Sequence, residues 1–204
     1  MTEETHEKLK KIKQSFRLFM DGMTSTSMRK KGVDYKINWG IPLPRLKEMA
    51  KEYGKDYSLA IELWKENIRE CKVLATLIMP AEEMDADLVD VWMEQVSNQE
   101  IAEVLAFNLL RHVDFAPTLA YQFIATDDTM KLVCGYQLLA CLFSDGKAPN
   151  ERGINEFIDQ AKASFQSNEI AVKHAVYSCI MKFCDLGDEY EQIATKAFAE
   201  FDIL

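Results

Sequence analysis

Glycine and proline are scarce in this chain, with 8 Gly and 5 Pro among 204 residues. So few turn signals exclude a many-stranded sandwich and imply long elements with short connections, as in helical folds. Long apolar runs are lacking too. Leu132 to Phe143 is broken by Gln137 and is shorter than the roughly 18 residues of a membrane helix. Met1-Thr-Glu-Glu-Thr-His-Glu is acidic and polar, with no apolar segment before a small-residue cleavage site, so a cytoplasmic protein is expected. Cys71, Cys134, Cys141, Cys179 and Cys184 are odd in number and show neither zinc-ribbon nor thioredoxin spacing. They sit in apolar helical patterns and read as reduced core residues. Walker loops, dinucleotide glycine fingerprints, Gly-x-Ser-x-Gly elbows and His-Glu-x-x-His pairs are all missing, which removes the main support for the common enzyme classes. His6, His112 and His174 are far apart, and none has a carboxylate or Cys at ligand spacing on an evident shared face. Neither a metal nor a cofactor is expected.

What is present has helical periodicity. Apolar residues make up 48% of the chain and charged residues 28%, the balance of a globular protein, and the length favours one domain over residues 1–204. Ile12, Phe16 and Phe19 mark an amphipathic helix over about 4–21, and a short helix fits Thr26 to Lys31. Gly40, Pro42 and Pro44 make Val33 to Pro44 a loop, with Pro44 suited to the first turn of a helix over Arg45 to Tyr53. Nine further helices follow, over 56–66, 69–79, 85–96, 98–112, 116–125, 127–143, 154–165, 168–184 and 188–201. Second members of pairs start near 69, 98, 127 and 168, a loose period of the kind that helix-pair solenoids give. Asn98, Asp127 and Asn168 suit N-caps. The segment Leu132 to Phe143, apolar nearly all round, belongs in the middle of the stack.

Net charge is −9, but unevenly spread. Residues 1–54 carry 12 Lys and Arg against 7 Asp and Glu; residues 55–204 carry 12 against 26. Lys8, Lys10, Lys11, Lys13, Arg17, Arg29, Lys30 and Lys31 form either a phosphate-facing patch or a solvated basic face. Glu100 and Glu103 share a face at a helix start, where they favour the positive helix end and could also support acid–base work. Trp64 and Trp92 fit core positions. Trp39, beside Lys36 and Asn38, could stack on a base or plug the loop.

Three stretches then combine into a family pattern: Trp39-Gly-Ile-Pro-Leu-Pro-Arg-Leu-Lys before a helix, Leu59-Ala-Ile-Glu-Leu-Trp-Lys-Glu-Asn-Ile-Arg-Glu, and Leu74-Ala-Thr-Leu-Ile. This resembles the AlkD-like DNA alkylation repair family, specifically over about residues 33–96 and more weakly to about 182. The resemblance implies an all-α, HEAT-like superhelix of antiparallel helix pairs whose second helices line a concave basic surface for double-stranded DNA. Active members release cationic alkylated purines. Their Ser-Trp-Asp stretch, with an Asp four residues after the Trp, matches Ser97-Asn-Gln-Glu-Ile-Ala-Glu, so Gln99 stands for the Trp and Glu103 for the Asp. The family's Arg falls at Val133 and its second Trp at Ser178, within one residue, with Tyr177 adjacent. Glu103 is the candidate catalytic carboxylate. Candidate DNA contacts are Gln99, Lys30, Lys31, Trp39, Arg45, Arg69, Lys72, Arg111 and Lys173. Three activities fit this pattern: a DNA-binding relative with weak or no glycosylase activity, a scaffold for a protein partner, or an active glycosylase using Glu103. A monomer without membrane contact is expected in each.

Overall fold

The computed structural model describes residues 2–33, 35–201 and 203. Among them are twelve α-helices and no strand: α1 (Glu3–Ser15), α2 (Gly22–Lys30), α3 (Leu43–Tyr53), α4 (Tyr57–Lys65), α5 (Arg69–Ile78), α6 (Ala86–Met93), α7 (Gln99–Asn108), α8 (Ala116–Ile124), α9 (Thr129–Ser144), α10 (Glu151–Phe165), α11 (Ile170–Cys184) and α12 (Asp188–Ala197). Single 3-10 turns follow α1, α5, α7 and α12. Polar caps set many of the starts. Asp21, Asp56, Asp85, Asn98, Asp128 and Asn150 each accept a backbone N–H from the first turn of the helix they precede. Five starts differ from expectation, among them α3, which begins at Leu43 and not Arg45, and α10, which begins at Glu151 after the Asn150 cap and not at Ile154. The Asp21 cap begins α2 at Gly22, not Thr26; Asp128, not Asp127, caps α9; and α11 starts after Glu169, which makes no side-chain cap bond. There the Ser167 hydroxyl accepts the Glu169 N–H instead, at 3.1 Å.

Chain contacts divide the protein into two compact units, Met1–Leu109 and Leu110–Leu204. In the second unit, α9 packs against both α8 and α11, and α10 and α12 pack on α11. This is why α9 carries no polar face: Val133, Cys134, Tyr136, Leu138 and Leu139 are all buried. In the first unit, α5 packs against α3, α4 and α7, and α1 lies on α4. Trp64 of α4 and Trp92 of α6 stack with centroids 4.1 Å apart and planes 7° from parallel, which joins the two first helices into one layer. Four of the five cysteines are buried and all are unbridged; burial raises the thiol pKa of Cys71 and Cys134.

The loop ahead of α3 is held by charge. Arg69, 6% exposed, and Glu70, fully buried, open α5, and Glu100 lies in the first turn of α7. The Arg69 guanidinium donates to Glu100 at 2.7 Å and 3.0 Å, to Glu70 at 3.1 Å and to the Ile41 carbonyl at 2.8 Å. Glu70 in turn accepts the N–H groups of Trp39 at 3.1 Å and Ile41 at 3.2 Å, and Tyr35 donates its hydroxyl to Glu100 at 3.2 Å. Burial alone would lower the Arg69 pKa; hydrogen bonds and charges from the two glutamates outweigh it and raise it. Burial and the Glu100 charge push the Tyr35 hydroxyl up. Since Ile68 cannot cap α5 with its side chain, the loop does so: Ile37 bridges in parallel to Ile68, and its carbonyl accepts the Arg69 N–H at 3.0 Å. Gly40 turns this loop at φ +73°, and a Cβ there would lie 2.2 Å from the Asp21 carbonyl oxygen.

Arg69 and Lys72 therefore do not face solvent as phosphate contacts would. Lys72 is 5% exposed; its ammonium donates to the Trp64 carbonyl at 2.9 Å and sits 4.4 Å above the Trp64 ring. Burial lowers its pKa from 10.5 to about 8. Between those two values the unfolded chain binds more protons than the folded one, so the Lys72 contribution makes stability rise with pH, and the full penalty is present below about 8. Denaturant melts should show wild type gaining on Lys72→Met from about pH 8 to about pH 10.5; a difference that does not change with pH would contradict the lowered pKa. Glu70→Gln, which strips a buried guanidinium of one partner, should cost about 3–5 kcal/mol in the same melts. By contrast, Glu62→Gln, which breaks an i,i+3 pair with the exposed Lys65, should cost under about 1 kcal/mol.

Candidate nucleic-acid interface

Within the first unit, α7 presents the residues aligned with the family's catalytic stretch. Asn98 caps the helix through the Ile101 N–H, at 3.2 Å, and points Gln99 outward. One turn on, Glu103 is half-buried and accepts the Gln99 amide at 2.6 Å. A neutral donor thus lies on the carboxylate where the family has an aromatic face. Glu100 is turned inward to Arg69 and is not a second carboxylate for acid–base work beside Glu103. Further along α7 is Phe107, 42% exposed, with the Lys47 ammonium of α3 5.5 Å above its ring.

In the second unit the charges sort by helix. α9 and α11 contain Lys131, Lys173 and Lys182 and no Asp or Glu at all. α10 and α12 contain Glu151, Glu156, Asp159, Asp188, Glu189 and Glu191, against Arg152, Lys162 and Lys196. The exposed side of α11 consists of Ile170, Lys173, His174, Tyr177, Ser178, Met181 and Lys182, at the three- and four-residue spacing of one helix face, with Lys182 paired to Asp185. On α9, Lys131 is half-buried with its ammonium 5.7 Å above the Phe123 ring. Val133 is fully buried, with half-buried Leu132 and buried Cys134 on either side, so no cation stands at the position that the resemblance matches to the family's Arg. Tyr177, 43% exposed, is the aromatic next to the exposed Ser178.

The other candidates divide by partner. Arg45 stacks over Phe19 at 4.0 Å and pairs with Glu48 at 2.7 Å; Arg111 pairs with Asp145. Lys30, Lys31 and Lys173 are exposed. Trp39 is half-buried, its backbone held by Glu70 and Asp21 and its ring lining a groove beside α1. Sequence reasoning missed Lys47 with Phe107 and the charge sorting between α9, α11 and their neighbours. The second was readable once the helix boundaries were set, because neither helix contains an acidic residue; totalling charge over residues 55–204 concealed it.

No described helix is long and apolar enough to cross a membrane, and no cluster of three or more His, Cys, Asp or Glu among the described residues could hold a metal. Comparison with curated proteins finds no match. A solved structure with the same fold is described as a new family of proteins related to the HEAT-like repeat DNA glycosylases with affinity for branched DNA structures. It aligns with a TM-score of 0.86 and 18% identity over 94% of this chain and 82% of its own. At that identity the likeness concerns the fold, an all-α arrangement of HEAT-like helix pairs. The profile of the DNA alkylation repair enzymes matches residues 12–179, more than half of the chain, and on that match this protein belongs to the DNA alkylation repair enzyme family.

Proposed function

We propose that this protein is a DNA-binding member of its family with weak or no glycosylase activity, and that branched DNA is among the structures it binds. The observation that carries the reading is the sorting of charge among the helices of the second unit: α9 and α11 contain Lys131, Lys173 and Lys182, the last paired with Asp185 just beyond α11, and no Asp or Glu of their own, whereas α10 and α12 contain six carboxylates. Phosphates are drawn to the first pair and repelled from α10 and α12. The structural relative's described affinity for branched DNA supports the choice of substrate. Against excision stand the Gln99 amide on Glu103 and the buried Val133, which leave a cationic base without an aromatic face or a phosphate-gripping Arg at those positions. The exposed acidic residues of α10 and α12 favour a second reading, a scaffold that recruits a basic protein partner.

Labelled blunt duplex and four-way junction, titrated across a salt series, test the reading. Binding should weaken linearly in log–log form as salt rises, with the junction bound more tightly than the duplex. Lys173→Glu should weaken both and reduce the salt slope by about one, whereas Asp188→Asn should leave both unchanged. An alkylated duplex should lose little or no base, and Glu103→Gln should not change that outcome. Absence of DNA binding at low salt would contradict the reading and leave the scaffold; excision abolished by Glu103→Gln would establish the glycosylase instead.

A further inference from the structure

The first unit contains a groove of about 650 Å³ between α1, the loop before α3 and α4. This is within the roughly 300–1,000 Å³ of small-molecule sites. One wall is α1 and the turn after it, where His6, Lys10, Lys13 and Arg17 recur at three- and four-residue spacing along one face. Trp39 and Ile37 supply apolar surface from the loop, and Glu62 and Glu66 of α4 form the opposite wall. These carboxylates are already answered, Glu66 by Lys13 at 2.9 Å and Glu62 by Lys65 at 2.7 Å. Lys10 has only Glu7, 3.9 Å away and well exposed, and Arg17 pairs with no carboxylate among the described residues. The groove thus combines Arg17, which has no carboxylate partner among the described residues, and the loosely paired Lys10 with the half-buried Trp39, whose backbone N–H is held by Glu70.

We infer that this groove holds an unpaired stretch of a DNA strand, with a base stacked on Trp39 and the flanking phosphates on Lys10 and Arg17. A polyanion with aromatic faces matches both halves of the groove: the cations attract the backbone, and the indole takes any base without sequence preference. A base-paired duplex buries its base faces and cannot use Trp39. The inference rests on the DNA-binding reading and deepens it, since a branched or flapped DNA exposes unpaired nucleotides where a blunt duplex does not.

The test uses the full chain and a short oligo-dT, read by intrinsic tryptophan fluorescence, because Trp64 and Trp92 are buried and stacked on each other while Trp39 lines the groove. Oligo-dT should quench saturably, and Trp39→Phe should remove most of the quench. Arg17→Glu, at an exposed position, should weaken oligo-dT binding about tenfold, in the range for loss of one such contact, while leaving blunt-duplex binding within about twofold. Circular dichroism confirms folding of each variant. No quenching at low salt, or Arg17→Glu binding oligo-dT as wild type does, overturns the groove even where duplex binding persists. Thymidine monophosphate binding as tightly as oligo-dT would overturn a strand as the occupant. Oligo-dT quenching without any duplex binding would keep the groove and remove the duplex-binding part of the functional reading.

Discussion

One guanidinium and two carboxylates share the interior of the first unit, and the cost of leaving any of them unpaired fixes what surrounds them. Arg69 opens α5, Glu70 follows it, and Glu100 lies in the first turn of α7. Both glutamates gain from the positive ends of their helices. Satisfying all three charges requires α7 beside α5 and the loop at Ile37–Ile41 folded over the start of α5, because the remaining partners are the loop's own N–H and carbonyl groups. Gly40 is the residue that lets the chain turn there against Asp21. The same network decides function negatively: Arg69 has no group left for a phosphate, and Glu100 none for a substrate.

Around that interior the protein keeps the family's frame and changes its surface. Helix pairs stack through the Trp64–Trp92 contact in one unit and through α9 in the other. At the positions that the family resemblance would set against a lesion stand Gln99, Val133 and Ser178, of which Val133 belongs to the core. The surviving carboxylate, Glu103, is engaged by an amide. What remains suited to DNA is electrostatic and general: exposed lysines on a carboxylate-free helix, and a basic first helix.

Much of the fold was legible in the sequence, because helix periodicity, caps and glycine stops are local signals. The nine helices after residue 56 fall where periodicity puts them. The α9 start turns on which of two neighbouring aspartates caps, a choice made by backbone geometry that composition does not encode, while α2 and α10 start earlier than expected because Asp21 and Asn150 cap them. The site was less legible. Arg69 and Lys72 resembled surface cations because charged residues are mostly exposed; only tertiary partners such as Glu100 and Gln95, 31 and 23 residues away, reveal them as buried. The acidic excess after residue 54 hid the lysines of α9 and α11, since a sum over sequence discards which helix each charge is on. Trp39 stayed open between stacking and plugging, and its place with Arg17 in the lining of one groove is a tertiary fact.

The central claim is that the carboxylate-free face of α11 meets DNA. Amide hydrogen exchange or NMR shift mapping of the full chain with a four-way junction tests it most directly. Protection or shifts should concentrate around Ile170, Lys173, Tyr177 and Met181, with α10 and α12 unchanged. Changes confined to α10 and α12, or none anywhere at low salt, would contradict it.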